Sequence, residues 1–386
     1  MVLENQTQSP GAATARQTDT QPADNPVRVM VVDDSAVIRG LITRIVEADP
    51  QLRVVASVSD GQRAVRSLSS NRIDVIILDI EMPVMDGLTA LPELLKADPG
   101  IKVIMASTLT IRNADISMRA MSLGAADYIA KPTASGEING RDEFGRTLVE
   151  KVRSLGLARR SGRAPVATAV KGPTPAVQLH PSQKIELRPA SRVKPRVLAL
   201  GSSTGGPQAL FTLLGALAGR ISLPVFLTQH MPATFTKILA QHVAQNTSWS
   251  CAEATDRQPI EAGCVHVAPG DYHMVVEQAG QQPILRLTTT PPENFCRPSV
   301  DPMLRSLADI YGNSVLTVIL TGMGSDGLKG SQYLVEKGGT IIAQDEETSV
   351  VWGMPGAVAT NGLCSAVLPL DKLADCVVKL AEGGSL

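Results

Sequence analysis

The sequence predicts an α/β protein made of two doubly wound, parallel-sheet domains joined by a flexible linker. Three observations predict it. At 386 residues the chain exceeds one ordinary domain. Short apolar runs alternate with amphipathic, helix-length stretches in two separate regions. Between them lies a stretch rich in Pro, Ala, Ser and basic residues with no sustained period, as a tether has. The expected boundaries are a disordered extension over residues 1–26, a first domain over 27–145, a basic, Pro-containing linker over 146–194 and a second domain over 195–386.

In the first domain, strands are expected at Val29–Val32, Val54–Val58, Val75–Leu78, Val103–Ala106 and Tyr128–Ala130, with a last helix over Phe144–Leu155. In the second, the strong strands are Val197–Leu200, Val225–Thr228 and Val315–Leu320, with helices over Pro207–Ala218 and Thr234–Ala244. The stretch from Cys251 to Thr290 differs. Its Gly and Pro turns suggest a hairpin or an antiparallel edge pair.

Charge and composition exclude several classes. Residues 146–194 carry 11 Lys/Arg against 2 Asp/Glu, and residues 195–386 carry 11 against 16. An acidic second domain without a helix-turn-helix pattern argues against a DNA reader, and no nucleic-acid partner is expected. The polar, Gln/Thr-rich start lacks the basic and apolar regions of a signal peptide. No apolar run approaches the roughly 18 residues of a membrane span, so a cytoplasmic protein without membrane insertion is expected. Five cysteines, an odd number without zinc-type spacing, suit a reducing compartment.

The first constellation is three acids and a lysine at strand ends. Asp33 and Asp34 follow the first strand, Asp79 ends the third, Ser107 follows the fourth and Lys131-Pro132 the fifth. In an open parallel sheet these positions converge on the crevice at the carboxyl ends. Three carboxylates there repel one another unless a hard divalent cation joins them, which suits Mg²⁺ on Asp33, Asp34 and Asp79. The central Asp79 is then the phosphoryl acceptor. The segments Val32-Asp33-Asp34-Ser35, Leu78-Asp79-Ile80-Glu81-Met82-Pro83, Met85-Asp86-Gly87 and Lys131-Pro132 resemble the flavodoxin-like receiver domain of two-component response regulators. That resemblance implies phosphotransfer from a histidine kinase, with Ser107 and Lys131 contacting the phosphoryl group.

The second constellation follows the strands of the second domain. Gly201-Ser202-Ser203-Thr204-Gly205-Gly206-Pro207 fits Gly-x-Ser-x-Gly, a turn that exposes a serine between strand and helix. A glycine loop at a helix start also binds phosphate, so this motif alone leaves both readings open. His230 follows the next strand and Asp326, in Thr321-Gly322-Met323-Gly324-Ser325-Asp326-Gly327, follows the third. A serine, a histidine and an acid on one sheet edge are the parts of a nucleophile, its base and the group that orients the base. His266 and His273 remain reserve candidates, whereas His180 falls in the linker and His242 inside a helix. The order Ser, His, Asp excludes an α/β-hydrolase.

These motifs, with Val267-Ala268-Pro269-Gly270-Asp271, Arg297-Pro298-Ser299-Val300-Asp301 and Gln344-Asp345-Glu346 through Gly353-Met354-Pro355, resemble the CheB family of chemotaxis protein-glutamate methylesterases and glutamine deamidases. The departures are Ser202, where the family commonly has alanine, and Cys296 before the Arg-Pro-Ser segment. The resemblance implies that Ser203 is the nucleophile, His230 the base and Asp326 the orienting acid. It places Thr204, Gly205, Gly206 and Met323 around the substrate and its oxyanion. Also implied are methylated chemoreceptors as substrate, a CheA-type kinase as phosphodonor, Mg²⁺ at the receiver and no cofactor for the esterase.

Overall fold

A computed structural model describes residues 25–108, 110–131, 138–161 and 185–386. The expected extension up to residue 24, Pro132, and residues 162–184 of the expected linker, His180 among them, lie outside the described residues. No described helix is long and apolar enough to cross a membrane.

The first domain runs β1 (Val27–Val32), α1 (Ala36–Glu47), β2 (Leu52–Val58), α2 (Gly61–Ser67), β3 (Val75–Asp79), α3 (Gly87–Ala97), β4 (Lys102–Ser107), α4 (Ile111–Ser122), β5 (Asp127–Ala130) and α5 (Ile138–Arg160). Its strands are parallel in the order β2-β1-β3-β4-β5, which leaves a crevice between β1 and β3 where the order reverses. Four of its helices start where a short polar side chain accepts the third backbone N–H: Ser35, Asp60, Asp86 and Thr110.

The second domain runs β6 (Val197–Ser202), α6 (Gly206–Leu217), β7 (Val225–Gln229), α7 (Ala233–Thr247), β8 (Ser250–Glu253), β9 (Cys264–Val267), β10 (His273–Ala279), β11 (Gln282–Thr288), α8 (Val300–Tyr311), β12 (Val315–Ile319), α9 (Leu328–Glu336), β13 (Thr340–Gln344), α10 (Met354–Thr360), β14 (Ala366–Leu368) and α11 (Leu370–Ala381). Seven strands form a parallel sheet in the order β14-β13-β12-β6-β7-β9-β8. Its reversal point lies between β12 and β6. β10 and β11 form a separate antiparallel hairpin. The expected antiparallel character of Cys251–Thr290 therefore holds only for that hairpin, because β8 and β9 extend the parallel sheet beside β7.

The linker boundaries need correction at both ends. Residues 146–160 belong to α5, whose Leu148, Val152 and Leu155 are buried against β1, β3 and β4 at helical spacing. The basic residues that gave this stretch a linker's composition pair with acids of the first domain, Arg160 with Asp74 and Arg159 with Asp98, each at 2.6 Å. At the other end, Arg188 N–H donates to Cys364 O and Ser191 N–H to Thr340 Oγ1, so residues from 185 already lie on the second domain. Composition records charge but not its partner.

The two domains share one apolar cluster. Met118 and Met121 of α4 and Tyr128 of β5 belong with Leu210 and Leu214 of α6 and Phe235 and Leu239 of α7. The Tyr128 and Phe235 rings stack with centroids 4.2 Å apart. Gln208 Nε2 donates to Met121 O and Ala125 O at 2.7 Å, and His242 Nε2 lies 2.8 Å from Asp115 Oδ1. This docking sets the α4–β5–α5 face over the carboxyl end of the second sheet.

Candidate active site

The loop after β6 is tight because two side chains on β6 and β7 hold it from beneath. Ser202 Oγ, fully buried, donates to Gln229 Oε1 at 2.6 Å, and Gln229 Nε2 donates to Ser203 O at 2.9 Å. A side chain at Gly206 would collide with Gln229 Oε1, so the turn needs glycine there. Ser203 itself is half-buried and lines a cavity of about 830 Å³ at the sheet edge. Of the two adjacent serines, only Ser203 reaches that space.

His230, at the end of β7, and Asp326, after β12, line the same cavity. His230 Nε2 lies 2.7 Å from Asp326 Oδ2. The carboxylate also accepts from Asn294 Nδ2 at 2.8 Å, Ser299 Oγ at 2.7 Å and Gly327 N at 2.9 Å. Val300 N at 2.6 Å and Asp301 N at 3.2 Å, the first residues of α8, complete its donors. Asp326 therefore caps a helix as well as holding an imidazole. Burial alone would raise its pKa, but the His230 bond and charge and these donors bring it down from 3.8 to about 2. Burial likewise opposes the imidazolium of His230, and the Cys296 sulfur and Asp326 carboxylate outweigh it, raising the pKa from 6.5 to about 10. With Nε2 engaged by the acid, Nδ1 is the nitrogen left for Ser203. In the docked form it faces Cys296 Sγ at 3.5 Å, and no hydrogen bond joins it to Ser203 Oγ.

At the carboxyl end of the first sheet, Lys131 Nζ lies 2.6 Å from both Asp33 Oδ2 and Asp79 Oδ1. Burial and the neighbouring Asp33 raise the Asp79 pKa against the pull of Lys131. Oxygens of Asp33, Asp34 and Asp79 gather within 4.8 Å of one another, Asp34 exposed and the other two buried. Three carboxylates against one ammonium leave a negative, hard-oxygen site, and these residues fit a divalent cation of the Mg²⁺ type. A side chain at Gly87 would strike Asp79 O, which explains the glycine of Met85-Asp86-Gly87. Ser107, buried at the end of β4, has its hydroxyl 3.3 Å from that of Ser117 on α4.

The family profile described as CheB methylesterase matches residues 198–377, and that described as response regulator receiver domain matches 29–141. A curated relative from Paramagnetospirillum magneticum, protein-glutamate methylesterase/protein-glutamine glutaminase 1, is 57% identical over 371 residues, covering 93% of this chain and 97% of that protein. The chain belongs to the CheB methylesterase family. A methylesterase/glutaminase of Rhodospirillum rubrum is 55% identical over 96% of this chain and 99% of its own. The catalytic domain of Thermotoga maritima CheB methylesterase is 38% identical, covers 49% of this chain and 100% of that one, and has a TM-score of 0.47. The chain is thus an esterase of the methylesterase/glutaminase family behind a receiver domain.

Within this methylesterase domain the structure separates the residues expected around the substrate and its oxyanion. Of Thr204, Gly205, Gly206 and Met323, only Met323 lines the cavity. Thr204 is buried and its hydroxyl donates to Asp127 Oδ2 of the receiver at 2.6 Å. Gly205, with φ 76°, begins α6, and Gly206 N–H closes the turn onto Ser203 O at 2.8 Å. The N–H of Ser203 donates to Thr321 O at 3.0 Å. The reserve histidines are turned away: His273 Nδ1 accepts from Ser299 N, and His266 Nε2 from Glu261 N. Sequence reasoning missed Gln229, Asn294, Cys296 and Ser299 as members of the site. The Arg297–Asp301 segment had marked the region, but polar residues scattered among loops carry no period that assigns them a role.

Proposed function

We propose that this chain hydrolyses methyl esters of glutamate side chains on methylated chemoreceptors, releasing methanol, and deamidates receptor glutamines, under the control of phosphorylation at Asp79. The reading is carried by the His230–Asp326 pair on a cavity that Ser203 also lines, with a receiver helix forming the opposite wall.

Ser203 Oγ attacks the ester or amide carbonyl carbon while His230 Nδ1 takes its proton. Asp326 holds Nε2–H and so keeps Nδ1 basic and directed at the cavity. The tetrahedral intermediate collapses with proton return from His230 to the leaving methanol or ammonia. Water activated by the same nitrogen then attacks the acyl-serine, leaving a carboxylate and free Ser203.

In the docked form His230 Nδ1 faces Cys296 Sγ rather than Ser203 Oγ, and α5 of the receiver lines the cavity. Turnover therefore requires the cleft to open, so that substrate enters and water screens the charges around His230. On the receiver, Lys131 and Asp33 flank Asp79, and Ser107 lies at the end of the neighbouring strand. Mg²⁺ held by Asp33, Asp34 and Asp79 would neutralise the acidic cluster and the phosphoryl oxygens. The phosphodonor in this reading is a chemotaxis histidine kinase, and the protein works in the cytoplasm on the receptors' cytoplasmic portions.

The test is initial methanol release from methylated receptor membranes, using the full chain with and without a small phosphodonor and Ser203→Ala with it. Release that rises with phosphodonor and disappears in Ser203→Ala supports the reading. Undiminished release from Ser203→Ala would remove it.

A further inference from the structure

We infer that Phe295 is the aromatic contact by which the catalytic cleft grips a helical, methyl-esterified segment of its substrate, in the place that α5 occupies here. This inference rests on the esterase reading above and names how its protein substrate is held.

Residues Glu293–Cys296 form a tight turn closed from both sides: Glu293 N donates to Cys296 O at 3.1 Å and Cys296 N to Glu293 O at 2.8 Å. Its central residues, Asn294 and Phe295, have φ of 52° and 61°. Two successive left-handed residues belong to a turn that favours Asn first and Gly second, and a bulky side chain in the second place is strained. The flanking side chains face inward, Asn294 onto Asp326 and Cys296 onto His230. Phe295 alone faces out, 78% exposed, at the rim of the cavity.

An exposed ring in a strained conformation contributes nothing evident to the fold. Among the described residues the ring meets a cation of the other domain, the Arg146 guanidinium of α5, 4.5 Å from the ring centroid. Other residues of α5, Thr147, Glu150, Lys151 and Ser154, line the same cavity at helical spacing. From residue 144 to residue 154 that helix runs about 15 Å. A cleft faced lengthwise by one helix fits another when the first withdraws. The void beneath α5 then receives an ester side chain aimed at Ser203. In this arrangement α5 and substrate compete for Phe295, so Arg146 masks the recognition residue as the receiver masks the cleft.

The experiment uses the full chain with phosphodonor, comparing Phe295→Gly and Phe295→Ala with the parent on methylated receptor membranes and on a p-nitrophenyl ester. The expected result is that preference for receptor over small ester falls about tenfold, the loss lying mainly in KM. Phe295→Gly, which suits the turn, should keep or raise the melting temperature. Arg146→Ala should raise receptor hydrolysis without phosphodonor. An unchanged preference in Phe295→Gly overturns the inference, and so does a parallel loss on both substrates, which would make the turn a support for His230. If the parent cleaves the small ester but releases no methanol from receptors, the esterase reading fails first.

Discussion

Thr204 Oγ1, one residue past the expected nucleophile, donates to Asp127 Oδ2 of the receiver at 2.6 Å, and both residues are buried. Asp127 also meets Lys151 Nζ at 2.8 Å. It opens the four-residue strand β5, after which Lys131 reaches Asp79. One short strand thus connects the phosphorylation crevice to the nucleophile loop.

Asp127→Ala should loosen the docked state. Hydrogen bonds to a buried charge are worth about 1.5–3 kcal/mol, so the docking equilibrium should shift by roughly 10- to 150-fold toward open. Methanol release without phosphodonor should rise while the phosphorylated rate changes little. Basal release that stays at the parental level would place the lock elsewhere in the interface.

Ser203→Ala should abolish ester hydrolysis and leave phosphorylation of Asp79 intact, because the two sites lie on separate sheets. Ser202→Ala should act differently. It removes the Ser202–Gln229 bond beneath the loop, so it should lower stability by about 1 kcal/mol and keep most of the activity. Thermal melting and initial rates of both variants check the assignment, and loss of turnover in Ser202→Ala alone would exchange the two roles.

The His230–Asp326 pair sets a stability window. His230 has its folded pKa raised from 6.5 to about 10, so its contribution is full below about 6.5 and disappears as pH rises through about 10. Asp326 has its folded pKa lowered from 3.8 to about 2, so its contribution is full above about 3.8 and disappears as pH falls through about 2. The stability difference between the parent and Asp326→Asn should therefore be largest between about pH 4 and 6.5, measured by denaturant unfolding across pH. A difference independent of pH would show that helix capping, not the ion pair, dominates at Asp326.

Cys296 also raises the His230 pKa, against burial. Cys296→Ala should move the acidic limb of the rate profile of the phosphorylated enzyme to lower pH, because His230 then loses its proton more readily. A p-nitrophenyl ester followed across pH reads this directly. An unmoved limb would mean that the Cys296–His230 contact does not survive opening.

Chelation of divalent cations should stop phosphodonor stimulation and leave the unstimulated ester rate as it was, since the acidic cluster of Asp33, Asp34 and Asp79 belongs to the receiver alone. Asp79→Asn should hold the chain at that same low rate with cation present. Direct loss of the basal rate on chelation would place a metal requirement in the esterase.

Legible in the sequence alone were the first sheet, three strands of the second (β6, β7 and β12), the strand ends carrying Asp33, Asp79, Lys131, Ser203, His230 and Asp326, and the family. Apolar period and residue type at strand ends are local signals, and a parallel sheet brings its carboxyl ends together whatever the loops do. Three matters were decided only by tertiary structure. Basic residues 146–160 read as linker because their partners, Asp49, Asp74, Asp98 and Asp127, are distant in sequence. The family resemblance placed Thr204 around the substrate, yet its hydroxyl meets an acid of another domain. Cys296 and Ser299 were marked only in or beside a family segment and Asn294 not at all, since they meet Asp326 and His230 only when the loop before α8 folds back over β7 and β12. Periodic burial is written into neighbouring residues, whereas a hydrogen bond between loops depends on where the whole chain has placed its two ends.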